Sequence, residues 1–289
     1  MDLNKKMHWN IAGGFVKSDI ILDYFTKNNL FDRYGHISVY DGLENCVWNG
    51  GRLHSFVPYK KEIKERYYDL GWSINLTFTN PVIDLNDEKG NYLLEEFHRD
   101  GNNIILVNEE LRKYIKENFP KYKLIHSITA CGEVQGYPLR DEDLAFYKDK
   151  LDRYDMIIPR CDSTFDPRLK ELDISRLEVL ISDTCILNCP YFGDHFKKIA
   201  KHNETGKDAS EEQWEGIGEC WIPKDEFDKK TKFEKRMLGD KYPFYLNFRQ
   251  IQQLVKEGFS IFKMQGREAS EEEFRYDLDR FMKDYNEER

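Results

Sequence analysis

Residues 177–195 read LEVLISDTCILNCPYFGDH. The apolar run from Leu177 to Ile181, broken only by Glu178, has the length of a buried strand, and it stops at Ser182-Asp183. Cys185 and Cys189 follow with three residues between them, Pro190 ends any helical turn begun there, and Asp194 and His195 come next. Soft and hard ligand types are gathered at one end of one strand, so an active site is expected here.

Outward from this stretch, the pairing of a strand with a helix recurs. Met7 to Gly14 alternates and ends in Gly-Gly, and Asp19 to Leu30 has helical apolar spacing. His36 to Tyr40 precedes a Gly-rich loop and a helix near Lys60 to Leu70, and Ser73 to Thr79 runs into Asn80-Pro81. Asn103 to Val107 is followed by a helix over Glu109 to Asn118, and Lys123 to Thr129 by one around Glu142 to Arg153. Asp155 to Pro159 then leads to the opening stretch. Beyond it, Asn203 to Tyr242 is polar and Gly-containing without an amphipathic period, until Arg249 to Glu257, the stop at Gly258, a strand Ser260 to Met264 and a last helix Glu271 to Tyr285 restore the pattern. Eight such units predict an α/β fold, a single (β/α)8 TIM-like barrel over 1–289, with 184–247 as an extended loop over the catalytic face. A doubly wound open sheet is the competing topology, but the Gly-rich nucleotide-binding fingerprint is absent after the first strand.

Bulk properties agree with one barrel, which needs about 250 residues of the 289 present. The 40% hydrophobic content can fill a sizeable core, and the 34% charged residues are mixed in sign rather than blocked. A formal net charge of -9 argues against an extended face that binds nucleic acid through its phosphates. No run of about eighteen apolar residues occurs, so the expectation is a cytoplasmic protein that does not span a membrane. Six cysteines in such a chain are expected to be reduced thiols or metal ligands, not a disulfide framework.

In a barrel the chemistry sits at the carboxyl ends of the strands. Those positions carry Asn80 after the third strand, Asn108 after the fourth, Cys131 and Glu133 after the fifth, and Arg160, Cys161 and Asp162 after the sixth. Asp183, Cys185 and Cys189 follow the seventh, Gln265, Gly266 and Arg267 the eighth, and Cys220 lies in the long loop on the same face. Five of the six cysteines therefore converge on one rim, while Cys46 reads as a small buried hydrophobe. Cys185, Cys189 and Cys220, with Cys161 as a further ligand, are the candidate metal ligands, because thiolates hold iron-sulfur clusters and zinc alike. Arg160 and Arg267 are candidates to grip a carboxylate or phosphate, with Asn80 and Asn108 as further substrate contacts. Arg160, Lys263 and Arg267 have an equally weighted alternative as rim ion pairs with Glu133, Asp162 and Asp183. Glu133, Asp162, Asp183 and Lys263 are the candidate catalytic groups, and strand alternation turns Lys263 inward, toward Asp183 or Glu133.

The order DMIIPR, LEVLISDTCILNCPYFGDHF, a long loop and FSIFKMQGRE resembles the collagenase-like peptidase family, family U-thirty-two. There a strand ending in a Cys-x3-Cys-Pro-[FY] segment precedes a Phe-Lys-[IM]-x-Gly-Arg strand, and Phe262, Lys263, Met264, Gly266 and Arg267 fit the latter. The resemblance covers Asp155 to Arg267. It implies a barrel and, in several branches, a [4Fe-4S] cluster supporting oxygen-independent hydroxylation of RNA or a quinone precursor. The cysteine spacings here differ from those branches, and no Ser-His-Asp or HExxH arrangement supports proteolysis.

Three functions compete at this stage. The first is an iron-sulfur, hydroxylase-like enzyme acting on a small molecule or nucleic-acid base, with Glu133 or Asp162 as acid/base. The second is a zinc-dependent hydrolase or lyase in which the metal activates water. The third is a non-catalytic binding barrel that serves as a subunit beside a protein partner.

Overall fold

The computed structural model describes residues 2–44, 46–49, 57–183, 188–189, 192–267 less 206–244, and 269–283; residues 198, 199 and 201–205 are described by backbone alone. Eight parallel strands make one sheet: β1 (His8–Ala12), β2 (His36–Asp41), β3 (Ser73–Phe78), β4 (Asn103–Leu106), β5 (Lys123–His126), β6 (Met156–Ile157), β7 (Glu178–Leu180) and β8 (Ile261–Met264). Their lateral order is β6-β5-β4-β3-β2-β1-β8-β7, and a single parallel bridge from Ile157 to Leu177 joins the two end strands. The sheet thus curls into a nearly closed (β/α)8 barrel. Its seam is thin because β6 and β7 are only two and three residues long.

Eight α-helices accompany the strands among the described residues: α1 (Ser18–Lys27), α2 (Lys61–Asp69), α3 (Glu88–Glu96), α4 (Glu109–Asn118), α5 (Asp141–Arg153), α6 (Phe192–Thr205), α7 (Phe248–Glu257) and α8 (Glu271–Met282). Their starts are capped by the side chains expected to satisfy free helix N–H groups: Asp87 for α3, Asn108 for α4, Asn247 with Gln250 for α7, and Ser270 with Glu273 for α8. Between β6 and β7 the crossover is made by three short 3-10 turns, not an α-helix.

Two of these elements depart from the sequence reading. Helix α3 has a run of charges at its start that masks its period, yet Leu93 and Leu94 are fully buried. Helix α6 occupies the start of the stretch 184–247, which reads as loop: Phe192, Phe196 and Ala200 recur at helical spacing, and Phe192 and Ala200 are buried. The remainder of that stretch, 206–244, lies outside the described residues, as does its expected placement over the catalytic face.

Strands buried on both faces explain the two separate cores. The outer one, between strands and helices, is aromatic-rich and includes Trp9, Phe25, Tyr67, Phe78, Phe262 and Phe274. The inner one fills the carboxyl half of the barrel with Ala12, Tyr40, Ile105, Ile125, Ile158 and Leu180, together with Cys161, Cys189 and Phe192.

Candidate functional site

Alternation along the strands sets what faces the barrel interior, and the interior is chemically divided. The side nearest β4, β5 and β6 is apolar, lined by Ile105, Ile125 and Ile158. A polar network runs from β7 through β1, β2 and β3 to Asn103 of β4, where Asn10 Nδ2 donates to Glu178 Oε1 at 2.5 Å and Asn75 Nδ2 donates to Asn10 Oδ1 at 3.1 Å. Ser38 also donates to Asn10 Oδ1, at 3.2 Å, and Asn103 donates from its side chain to Asn75 Oδ1 at 2.8 Å. Lys263 points inward, as alternation requires, with its side chain 4% exposed. Its carboxylate partner is Glu178, with Oε2 4.0 Å from Nζ, and not Asp183 or Glu133. The Nζ also lies 3.5 Å from the centroid of the Tyr40 ring, whose hydroxyl donates to Met264 O at 3.0 Å.

Above this layer, the rim after β6 and β7 brings sulfur and carboxylate together. The Cys161 thiol donates to Asp183 Oδ2 at 3.4 Å, and Cys189 is buried in the same cluster of side chains as Cys161. Burial, with Asp183 and Asp162 close by, pushes the Cys161 thiol well above its usual range. A thiolate there needs a cation to offset the adjacent carboxylate. The apolar setting and two thiols suit a soft metal or a sulfur-ligated cluster, and the other expected ligands, Cys185 and Cys220, lie outside the described residues. Among the described residues no three His, Cys, Asp or Glu side chains form a metal-holding group. Cys131 is placed differently from the sequence reading, because it packs in the outer core, donates to Ile158 O at 3.7 Å, and is pushed up to about 12 by burial. Cys46 is a buried thiol in that outer core, as read.

The remaining rim candidates are largely occupied by the fold itself. Arg160 and Asp162 form a buried ion pair with Nη2 to Oδ2 at 2.7 Å and Nε to Oδ1 at 3.1 Å. Arg160 also donates to Val134 O at 3.2 Å, and its guanidinium lies 4.3 Å from the Phe192 ring centroid. Asp162 Oδ2 accepts the backbone N–H of Asn188 at 2.9 Å, and the Asn188 side chain clasps the backbone of Tyr137. This pair therefore pins the segment bearing Cys189 to the loops after β5 and β6. Asn80 Nδ2 donates to Val47 O, and Asn108 caps α4 while donating to Pro81 O, so both side chains tie neighbouring loops together. Glu133 is exposed, and its backbone oxygen accepts from Arg140.

Arg267 lies at the rim with its side chain 13% exposed and Nη1 3.6 Å from Asp41 Oδ1. Asp41 Oδ2 accepts the N–H groups of Phe15 at 3.1 Å and Val16 at 3.3 Å, and Oδ1 accepts that of Gly42. Burial is the largest influence on Asp41 and raises its carboxyl above the ordinary value despite these donors. Asp41, Glu178, Asn10 and Asn188 all escaped the sequence reading. Glu178 carried a usable signal, since a lone carboxylate inside an apolar strand run needs a buried partner.

No family model matches the chain, and no curated protein matches it. Among solved structures the chain is similar to the U32 peptidase Mk0906, with 13% identity and a TM-score of 0.49 over 90% of this chain and 92% of that one. The barrel stands on its own strand order and register, independently of this likeness. No helix among the described residues is long and apolar enough to cross a membrane.

Proposed function

We propose that this protein is a TIM-barrel enzyme whose reaction takes place at the carboxyl mouth over β6, β7 and β8, with a thiolate-held metal centre acting on a small molecule or nucleobase. The observation that carries the reading is the packing of Cys161 and Cys189 in one buried cluster, with Asp183 3.4 Å from the first thiol. Cys161 and Cys189 would supply two ligands, and Cys185 and Cys220 the others. A [4Fe-4S] cluster would supply electron transfer or Lewis-acid chemistry to an oxygen-independent hydroxylation, and zinc in the same ligands would supply an activated water instead.

The chain's own groups have distinct parts in this reading. Arg267, partly exposed at the rim and oriented by Asp41, holds an anionic group of the substrate. Asp183, 3.4 Å from the Cys161 thiol, carries the acid/base role. Arg160 and Asp162 hold the thiol-bearing segment in place. A protein partner and a cytoplasmic setting belong to the same proposal.

Protein purified without oxygen is expected to be brown, with near-stoichiometric iron and sulfide, and Cys161→Ser or Cys189→Ser is expected to reduce both. A colourless protein holding zinc favours the hydrolase or lyase reading. A protein with neither metal, prepared both with and without oxygen, overturns the metal-centred function and favours a non-catalytic barrel.

A further inference from the structure

We propose that Lys263 is a covalent binding site for small carbonyl compounds, held as a protonated imine between the Glu178 carboxylate and the face of the Tyr40 ring. The proposal goes beyond the metal-centred reading and rests on a different half of the barrel interior. Nζ of Lys263 lies 4.0 Å from Glu178 Oε2 and 3.5 Å from the Tyr40 ring centroid, and the Lys263 and Glu178 side chains are 4% and 1% exposed.

Stability alone does not account for this pair. Exchanging a buried ion pair for well-packed apolar residues is often neutral or stabilising, and barrel interiors are ordinarily filled by Val, Ile and Leu. Here the pair is instead built into a fixed polar framework. Asn10 holds Glu178 Oε1, Asn75 and Ser38 hold Asn10, and the Tyr40 hydroxyl is tied to Met264 O across the intervening strand β1. The small side chain of Ala12, paired in register with Tyr40, leaves room for that reach. Glu178 Oε2 is consequently the oxygen turned toward the amine.

The amine lies in the carboxyl half of the barrel, with the Tyr40 ring 3.5 Å from it. Lys263 is level with Asn10 in the strand register, one interior layer below Ala12 and Tyr40, which are the last inward side chains of β1 and β2. A carboxylate and an aromatic face both stabilise positive charge on a nitrogen held between them. An iminium nitrogen keeps that charge, and a water-poor interior opposes its hydrolysis.

The chemistry balances within the pair. Glu178 takes one proton from the Lys263 ammonium, and the freed lone pair attacks the carbonyl carbon. The carbonyl π electrons move to oxygen, which takes a second proton from the same nitrogen to give a neutral carbinolamine. Glu178 returns its proton to the hydroxyl, the C–O bond breaks as water leaves, and the nitrogen lone pair forms the C=N bond. Ammonium plus carbonyl thus becomes iminium plus water, with Glu178 again a carboxylate.

The test uses the full chain with glyoxylate as the carbonyl probe and cyanoborohydride to reduce any imine to a stable amine, located by peptide mass spectrometry. Lys27 and Lys61, whose side chains are 69% and 70% exposed, serve as surface controls. Lys263 is expected to be labelled about tenfold faster than either control, and Glu178→Gln to lower its rate about tenfold while leaving the controls unchanged. Labelling of Lys263 no faster than the surface lysines overturns the proposal. Should Glu178→Gln fail to fold, the unsubstituted protein decides by its pH profile: the controls lose about tenfold in rate per unit as pH falls, following their free-amine fraction, and Lys263 falls less steeply. A parallel fall overturns the proposal. Metal content does not enter the readout, so this proposal and the metal-centred function fail separately.

Discussion

Arg160 and Asp162, two residues apart, meet in a two-pronged ion pair at 2.7 and 3.1 Å with each side chain 3% exposed. A buried pair of this geometry satisfies both partners, whereas removing one leaves the other as an uncompensated buried charge. Asp162→Ala is therefore expected to destabilise the protein by about 3–5 kcal/mol in urea denaturation. The double exchange of Arg160→Met with Asp162→Leu recovers a large part of that loss. An Asp162→Ala protein that melts like the parent but lacks activity would return Asp162 to an acid/base role.

His126 is buried against Tyr154 and Phe146 at ring distances of 5.0 and 5.8 Å, and burial holds its imidazole at about 3. The group titrates as a base whose folded value lies below its unfolded value of about 6.5, so the unfolded state binds the extra proton between the two. Its stabilising contribution is full above pH 6.5 and is lost as pH falls toward 3, on the order of 1.4 kcal/mol per unit. His126→Phe keeps the ring contacts and is expected to flatten this part of the stability profile, read by denaturation at a series of pH values. An unchanged slope between pH 6 and 4 would assign the acid sensitivity to other groups, of which His8 and His36, both shifted downward by partial desolvation, come first.

Asp41 accepts the backbone N–H groups of Phe15 and Val16, which organise the turn between β1 and α1, and that of Gly42 after β2. Asp41→Ala strands those donors in a buried setting and is expected to cost about 1–3 kcal/mol. Hydrogen exchange at the Phe15 and Val16 amides should rise well above the global change in stability. Equal protection at both amides in the two proteins would mean that the turn holds without the carboxylate.

Gly132, after β5, lies so close to Gly193 in α6 that a side-chain carbon on either would overlap the other's Cα. Gly132→Ala must push the start of α6 from the barrel mouth, and overpacking of this kind costs about 1–3 kcal/mol. Limited proteolysis should show earlier cleavage near residues 192–200 in the variant. Cleavage at the parental rate would show that the helix shifts without loosening.

Much of the barrel was legible because its signals are local. Alternation marks the strands, 3.6-residue spacing marks α1, α4, α5, α7 and α8, and caps and Gly258 mark the ends; the eight strands lie within a few residues of where the pattern puts them. Helix α6 escaped because its start follows Pro190 and its apolar face, Phe192, Phe196 and Ala200, has meaning only against the barrel mouth.

Local alternation likewise determined that Lys263 faces inward. Which carboxylate it meets was decided by the pairing of β7 with β8, which sets Leu180 level with Lys263 and leaves Glu178 within reach below it. Spacing placed Arg160, Cys161 and Cys189 at one rim. Only the folded chain shows that Arg160 turns to Asp162, that Cys161 turns to Asp183, and that Cys131 turns away into the outer core. A strand's period fixes the face on which a side chain lies, whereas its partner depends on lateral register and loop path, and these arise from contacts between residues far apart in the chain.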